Sequence, residues 1–230
     1  MDFSGWEKLS LVDYDDNITT TLFMAGCNMR CPFCHNMDLV INPQNAPTIP
    51  WEEIYDYLKK RQGVLDAVCV SGGEPTLMPD LLEKLSLIKE LGYKVKLDSN
   101  GSNPDKLAEA ISKGLVDYVA MDIKNSPERY GETIGVPSFN LAPIKASVEL
   151  LKSNKVAYEF RTTIMDEFHD ETAMKSIGEW IAGAPRYFLQ LYIDSDHCIV
   201  GGFHAVSEEK AKRFLEIVKP YVGEAKLRSY

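Results

Sequence analysis

Three cysteines fall within eight residues, in Cys27-Asn28-Met29-Arg30-Cys31-Pro32-Phe33-Cys34. Thiolates are soft metal ligands, and three on one short loop can converge on one face of a small metal centre. The spacing is C-x3-C-x2-C, and it follows an apolar stretch, Thr19 to Met24, that reads as a β-strand. A cubane of four irons normally takes four cysteines, so three leave one iron without a protein ligand. An open coordination position on a metal is where a substrate can bind and react. The competing arrangement is a structural zinc site made of the three cysteines with His35. Zinc sites usually pair C-x2-C knuckles with a distant second pair, and His35, adjacent to Cys34, is badly placed to reach the same ion.

Further chemistry-bearing residues close other apolar runs. Ser71-Gly72-Gly73-Glu74-Pro75-Thr76 follows one such run. Its paired glycines let the backbone approach a ligand, and its acid can accept hydrogen bonds from an ammonium, although a plain turn would use the same residues. Asp98 and Ser99 end the next run, and Asp122 and Lys124 the one after. Two acids on neighbouring strand ends stand near one ligand, and Lys124, two residues after Asp122, lies on the same strand face. Arg161 and Thr162 occupy a fifth run, where an unpaired arginine is too costly to bury. Arg161 is therefore expected to face a substrate carboxylate or one of Glu159 and Glu74. Gln190 and Asp194 close the sixth run and offer polar contacts.

Positioning these groups requires strands and helices in strict alternation. Strands are read over 18–24, 67–71, 94–97, 118–121, 156–164 and 186–193, with 6–17 as a lead-in strand and turn. Helices are read over 50–61, 79–91, 103–113, 140–153, 170–182 and 207–221. Asn103-Pro104-Asp105 supplies an N-cap, and Gly92 and Gly114 supply stops. Such alternation implies right-handed crossovers and a parallel sheet. Six units are fewer than the eight of a closed barrel, so an α/β fold with an open, partial (β/α)6 TIM-type barrel is expected, in one domain over 1–230. Function then collects at the carboxyl ends of the strands.

The cysteine run, with an aromatic before its third cysteine, resembles that of the radical S-adenosylmethionine superfamily. The Gly72-Gly73-Glu74 turn, about forty residues on, resembles the superfamily's GGE motif. Asp98, Ser99, Asp122 and Lys124 resemble the activating enzymes of glycyl-radical enzymes, notably pyruvate formate-lyase activating enzyme. Over 9–125 the segments Lys8 to Tyr14, Cys34-His35-Asn36, Val70 to Leu77 and Gly114 to Lys124 look like anaerobic ribonucleoside-triphosphate reductase activating proteins. That family usually has Pro-Gly where this chain has Asp15-Asp16.

The resemblance implies a [4Fe–4S] cluster on Cys27, Cys31 and Cys34 and S-adenosylmethionine bound by Gly72, Gly73, Glu74, Asp98, Asp122 and Lys124. The Gly72-Gly73-Glu74 motif would meet the amino group and Lys124 the carboxylate. Asp98, Ser99, Asp122 and the Ala120 carbonyl would hold a monovalent cation, Na+ or K+, and Phe33 and His35 would frame the adenine. Gln190 and Asp194, for which no family match carries over, are candidate ribose contacts by position at a strand end. The implied reaction removes a hydrogen from a glycine of a glycyl-radical enzyme, such as anaerobic ribonucleotide reductase or pyruvate formate-lyase. A flavodoxin- or ferredoxin-type donor would supply the electron. A radical enzyme acting on a small molecule is the alternative.

Composition fits this reading. Apolar residues make up 45% and charged residues 26% of 230 residues, ordinary for a globular chain. A net charge of −9 argues against a nucleic-acid or anionic-membrane partner. Five cysteines, three of them clustered, do not make a disulfide framework, and a start without a basic, apolar leader suggests the cytoplasm. Cys69 reads as core and Cys198 as an incidental surface thiol; His169, His197 and His204 show no ligand-like spacing.

Overall fold

A computed structural model describes residues 2–228. One eight-stranded sheet runs in sequence order, from β1 (Gly5–Ser10) and β2 (Thr19–Met24) through β3 (Ala67–Gly72), β4 (Lys94–Ser99), β5 (Tyr118–Asp122), β6 (Ala157–Ile164) and β7 (Arg186–Leu191) to β8 (Glu224–Arg228). The strands from β2 to β8 are parallel, whereas β1 pairs antiparallel with β2 and bulges between Glu7 and Ser10. β1 and β8 do not pair, so the barrel is open. The six strand–helix units expected from the alternation are present, and β8 adds a seventh parallel strand to them.

The helices are α1 (Met37–Ile41), α2 (Trp51–Lys60), α3 (Leu81–Glu90), α4 (Pro104–Ser112), α5 (Tyr130–Thr133), α6 (Ala142–Lys152), α7 (Glu171–Trp180) and α8 (Glu208–Val218). Asn103, Asp170 and Ser207 accept from Lys106 N, Ala173 N and Lys210 N and so cap α4, α7 and α8. Among the described residues no helix is long and apolar enough to cross a membrane.

Period-two alternation divides each strand between two environments. Val68, Val70, Val95, Leu97, Val119, Met121, Phe160 and Leu189 are buried in the apolar layer shared with the helices. That layer includes Ile54, Leu58, Leu85, Ile88, Leu107, Ile144, Val148, Ile177 and Phe214. Each such side chain contributes about 1.5–3 kcal/mol through burial. The opposite set, Lys96, Asp98, Tyr118, Glu159, Arg161 and Gln190, gives the barrel a polar interior.

The turn between β1 and β2 tucks beneath this interior. The Tyr14 ring lies 5.4 Å from the Tyr118 ring, Thr21 Oγ1 donates to Asp13 Oδ2 at 2.6 Å, and Lys96 donates to the Asp13 carbonyl. Arg228 reaches both Glu159, at 2.9 Å, and Asp15, at 3.5 Å. The amino-terminal end of the barrel is thus closed by side chains. The other end is open.

Candidate active site

That open end is a cavity of about 530 Å³, in the range of small-molecule sites. Cys27, Cys31 and Cys34 all line it. Their loop leaves β2 and is pinned by three distant segments: Gly26 N donates to Leu39 O, Arg30 N to Ile134 O and Val200 N to Pro32 O, each at 2.8 Å. All five cysteines are free thiols. Burial pushes the Cys31 thiol up to about 12 and raises Cys27 and Cys34 as well. Thiols held protonated this way release protons when a metal binds. Among the described residues, no three His, Cys, Asp or Glu side chains are gathered closely enough to share one ion. Three thiols spread around one cavity suit a polynuclear cluster, whose ligands sit on different irons, better than the zinc arrangement.

The glycine turn is stitched to this loop. Gly73 N donates to Met24 O and Glu74 N to Gly26 O, both at 2.8 Å, and Asn36 Nδ2 donates to Gly72 O at 2.8 Å. Gly72 and Gly73 line the cavity. They are required for a more local reason than ligand approach. A Cβ on Gly72 would stand 2.3 Å from Met24 N, and one on Gly73 2.0 Å from Gly26 O. Glu74 departs from expectation. Its carboxylate is 1% exposed, does not line the cavity, and accepts from Thr76 N (3.1 Å), Thr76 Oγ1 (2.5 Å), Ser99 Oγ (2.9 Å) and Asn100 N (2.6 Å). Four donors saturate the acid, so it clamps the ends of β3 and β4 together rather than meeting an ammonium.

Asp98, Asp122, Lys124 and Arg161 form one charged wall of the cavity. Arg161 Nε pairs with Asp122 Oδ1 at 2.9 Å and its Nη1 with Asp98 Oδ2 at 3.3 Å. The anticipated partners Glu159 and Glu74 are not the ones used; Glu159 bonds Arg228 and Tyr118 instead. The reason is register, because β5 and β6 set Asp122 directly beside Arg161. Lys124 Nζ donates to Asp122 Oδ2 at 2.8 Å, on the shared face the spacing requires. Burial pushes the Asp122 carboxyl up, but Arg161 and Lys124 outweigh it and hold it down at about 2. Asp98 is lowered in the same way by Arg161 and Lys96. Among the described residues, Asp98 Oδ1 accepts no hydrogen bond, although Lys96 Nζ stands 3.3 Å away.

Ser99 lines the cavity beside Asp98, and its hydroxyl donates to Glu74 Oε1 at 2.9 Å. Thr162 faces the helix layer, donating to Ile123 O at 2.6 Å; Thr163 takes its place in the cavity.

Phe33 and His35 lie on the cavity's other side. Phe33 packs on Phe168 with centroids 5.9 Å apart, and His35 on Tyr192 at 5.7 Å. Burial lowers the His35 pKa, so its ring is neutral near pH 7. Gln190 reaches the cavity from β7. Asp194 does not; it accepts from Tyr192 OH (2.7 Å) and Gly202 N (3.2 Å) and shapes the following loop. Cys69 is core, at 1% exposure. Cys198 is a correction: it is 6% exposed, with Tyr192 OH at 3.5 Å and His35 Nδ1 at 3.8 Å.

Three residues that sequence reasoning passed over support the site. Asn36 ties the cysteine loop to the glycine turn. Asn100 reaches Cys27 Sγ with its side-chain amide (3.7 Å) and Glu74 with its backbone. His169, 1% exposed, accepts from Met165 N at Nδ1 and so donates from Nε2 to Lys124 O at 3.0 Å. Asn100 sits just after an already suspect strand end, which is its only sequence signal. His169 has none.

A family model described as the Radical SAM superfamily matches residues 21–178. A protein of Methanocaldococcus jannaschii, provisionally described as a glycyl-radical enzyme activating enzyme, is 35% identical over 202 residues, covering 84% of this chain and 80% of that protein. The pyruvate formate-lyase-activating enzyme of Clostridium pasteurianum is 33% identical over 124 residues, so this chain covers half of that relative, 50% of its length. Streptococcus suis SuiB bound to S-adenosylmethionine superposes with a TM-score of 0.69 at 14% identity, over 91% of this chain and 51% of SuiB. A domain of pyruvate-formate lyase-activating enzyme from Bacteroides vulgatus gives 0.58 at 20% identity, over 71% of this chain and 99% of that domain. At those identities the structural likeness speaks to the fold.

Proposed function

The chain belongs to the radical SAM superfamily, and from that premise we propose that it activates a glycyl-radical enzyme by removing one hydrogen atom from a backbone glycine of that partner. Membership implies a [4Fe–4S] cluster and S-adenosylmethionine. Cys27, Cys31 and Cys34 are the residues that would hold the cluster. When bound, it supplies the electron that splits S-adenosylmethionine into methionine and a hydrogen-abstracting 5′-deoxyadenosyl radical.

The chain's own residues bind, orient and exclude water. Lys124 would take the methionine carboxylate, and the acids Asp98 and Asp122 its ammonium; all three line the cavity. Phe33 and His35 offer ring faces to the adenine, and Gln190 a polar contact to the ribose. The side chains that close the far end of the barrel keep solvent from entering behind the ligand. Catalysis by the protein is then chiefly placement of the reacting atoms.

The observation that carries this reading is convergence. The three thiols, the glycine turn and the charged wall belong to different strands and meet on one cavity. A glycyl-radical enzyme as partner is supported by the archaeal relative's description, and anaerobic ribonucleotide reductase by the resemblance over 9–125. A flavodoxin- or ferredoxin-type donor goes with that chemistry. The test is to mix the anaerobically reconstituted, reduced protein with S-adenosylmethionine and a candidate reductase. The expected result is more 5′-deoxyadenosine and an organic radical doublet on the partner. If no glycyl-radical partner raises the yield or gains a radical, the reading is overturned.

A further inference from the structure

Lys124, the residue proposed to take the methionine carboxylate, lies two residues past the end of β5. The sheet ladder reaches as far as Ile123 N, which donates to Arg161 O at 2.7 Å. The carbonyls along this exit are held by side chains from three other elements. Tyr130 OH donates to Asp122 O (3.4 Å), Thr162 Oγ1 to Ile123 O (2.6 Å) and His169 Nε2 to Lys124 O (3.0 Å).

His169 holds Lys124 itself. It is 1% exposed and does not line the cavity. Its Nδ1 accepts from Met165 N at 3.3 Å, and burial lowers its pKa to about 4 and so keeps the ring neutral. A neutral imidazole has one N–H to give. Burying such a ring is costly unless both nitrogens are bonded, and this one spends its donor on the Lys124 carbonyl.

The turn between β6 and α7 that carries His169 is fixed in its own right. Asp166 N donates to His204 O at 3.0 Å, and the Phe168 ring packs on both Phe33 (5.9 Å) and Phe203 (5.4 Å). Asn125, fully buried, answers from the other side by donating from Nδ2 to Phe168 O at 2.8 Å. Lys124-Asn125 and Phe168-His169 thus grip each other at two points.

We propose that His169 is a positioning residue: through the Lys124 carbonyl it sets where the Lys124 ammonium stands, and so governs recognition of the ligand's carboxylate without touching the ligand. This rests on the cavity being the S-adenosylmethionine site, as proposed above.

The experiment is equilibrium dialysis of the reconstituted holoprotein against labelled S-adenosylmethionine and against its decarboxylated analogue, which lacks only the carboxylate. His169→Asn keeps an acceptor for Met165 N but is too short to reach Lys124 O; His169→Gln carries an amide that reaches it. S-adenosylmethionine affinity should fall about tenfold in His169→Asn and stay within about twofold of the parent in His169→Gln. Affinity for the decarboxylated analogue should be unchanged in both, a selectivity that a general loosening of the fold would not give. Once Lys124→Met is in place, His169→Asn should cost nothing further. Nitrogen-15 NMR of the unaltered holoprotein, which does not depend on any variant folding, should show His169 as the Nε2–H tautomer near neutral pH. The Nδ1–H tautomer, unchanged affinity in His169→Asn, equal losses for the two ligands, or a loss that persists beside Lys124→Met overturns the role of His169. Absence of S-adenosylmethionine binding by the parent overturns the functional reading beneath it.

Discussion

The side-chain amide of Asn100 points at Cys27, with Nδ2 3.7 Å from Sγ, and Met29 N approaches the same sulfur at 3.4 Å. Asn100 is itself fixed by Glu74 through its backbone and by Asn28 Oδ1 at 3.0 Å. Hydrogen bonds to ligating sulfurs favour the reduced state of an iron–sulfur cluster and raise its potential. Asn100→Leu should therefore lower the midpoint of the reconstituted cluster. A hydrogen bond of about 0.5–1.5 kcal/mol corresponds to roughly 20–60 mV for one electron. A redox titration followed by electron paramagnetic resonance measures this; an unchanged midpoint would remove Asn100 from the account.

Gly73→Ala tests the seam between the glycine turn and the cysteine loop. Its new Cβ would fall on Gly26 O, a backbone atom that cannot swing away. A loss of about 3 kcal/mol or more is expected in urea unfolding, with lower iron retention after reconstitution. Wild-type stability together with full iron content would show that the seam yields.

Lys124→Met should leave the fold intact, because Asp122 keeps Arg161 at 2.9 Å. What it removes is the ammonium facing the ligand's carboxylate. S-adenosylmethionine affinity should drop by roughly 10- to 100-fold, measured by dialysis on the loaded protein. Unchanged affinity would mean that Arg161 alone suffices.

His169 makes a pH prediction. Burial lowers its pKa from 6.5 to about 4, so the folded state refuses a proton that the unfolded chain accepts. Its stabilisation is full above pH 6.5 and is lost as pH falls toward 4, a change of about 3 kcal/mol. Glu74, whose carboxyl burial pushes up, acts in the opposite sense, so the comparison must be between proteins. His169→Asn should be less stable than the parent at pH 7, with the gap closing by pH 4.5. Parallel urea profiles at the two pH values would contradict it.

The sequence was most legible where chemistry and strand ends coincide. Cys27, Cys31, Cys34, Asp98, Asp122 and Lys124 all reach one cavity, because each ends or follows an apolar run on the same edge of a parallel sheet. Interstrand register was not legible, and so Glu159 and Glu74 were named as the protein partners of Arg161: only the pairing of β5 with β6 sets it against Asp122. The face on which a turn leaves a strand was hidden too, which is why Glu74 was taken for a ligand and proved a clamp. β8 escaped notice because Glu224-Ala225-Lys226-Leu227-Arg228 lacks β-branched residues and becomes a strand only by pairing with β7. Cys198 looked like a surface thiol because nothing local announces that its loop folds back over Pro32.

Among the described residues, the turn carrying Asp13 and Tyr14 gives the barrel a floor while its mouth stays open. On the proposed function, a partner seated over the mouth would complete the enclosure, so a reactive species formed inside would be shielded from buffer only while its target is in place. On that reading, a reaction begun before docking would waste the reagent.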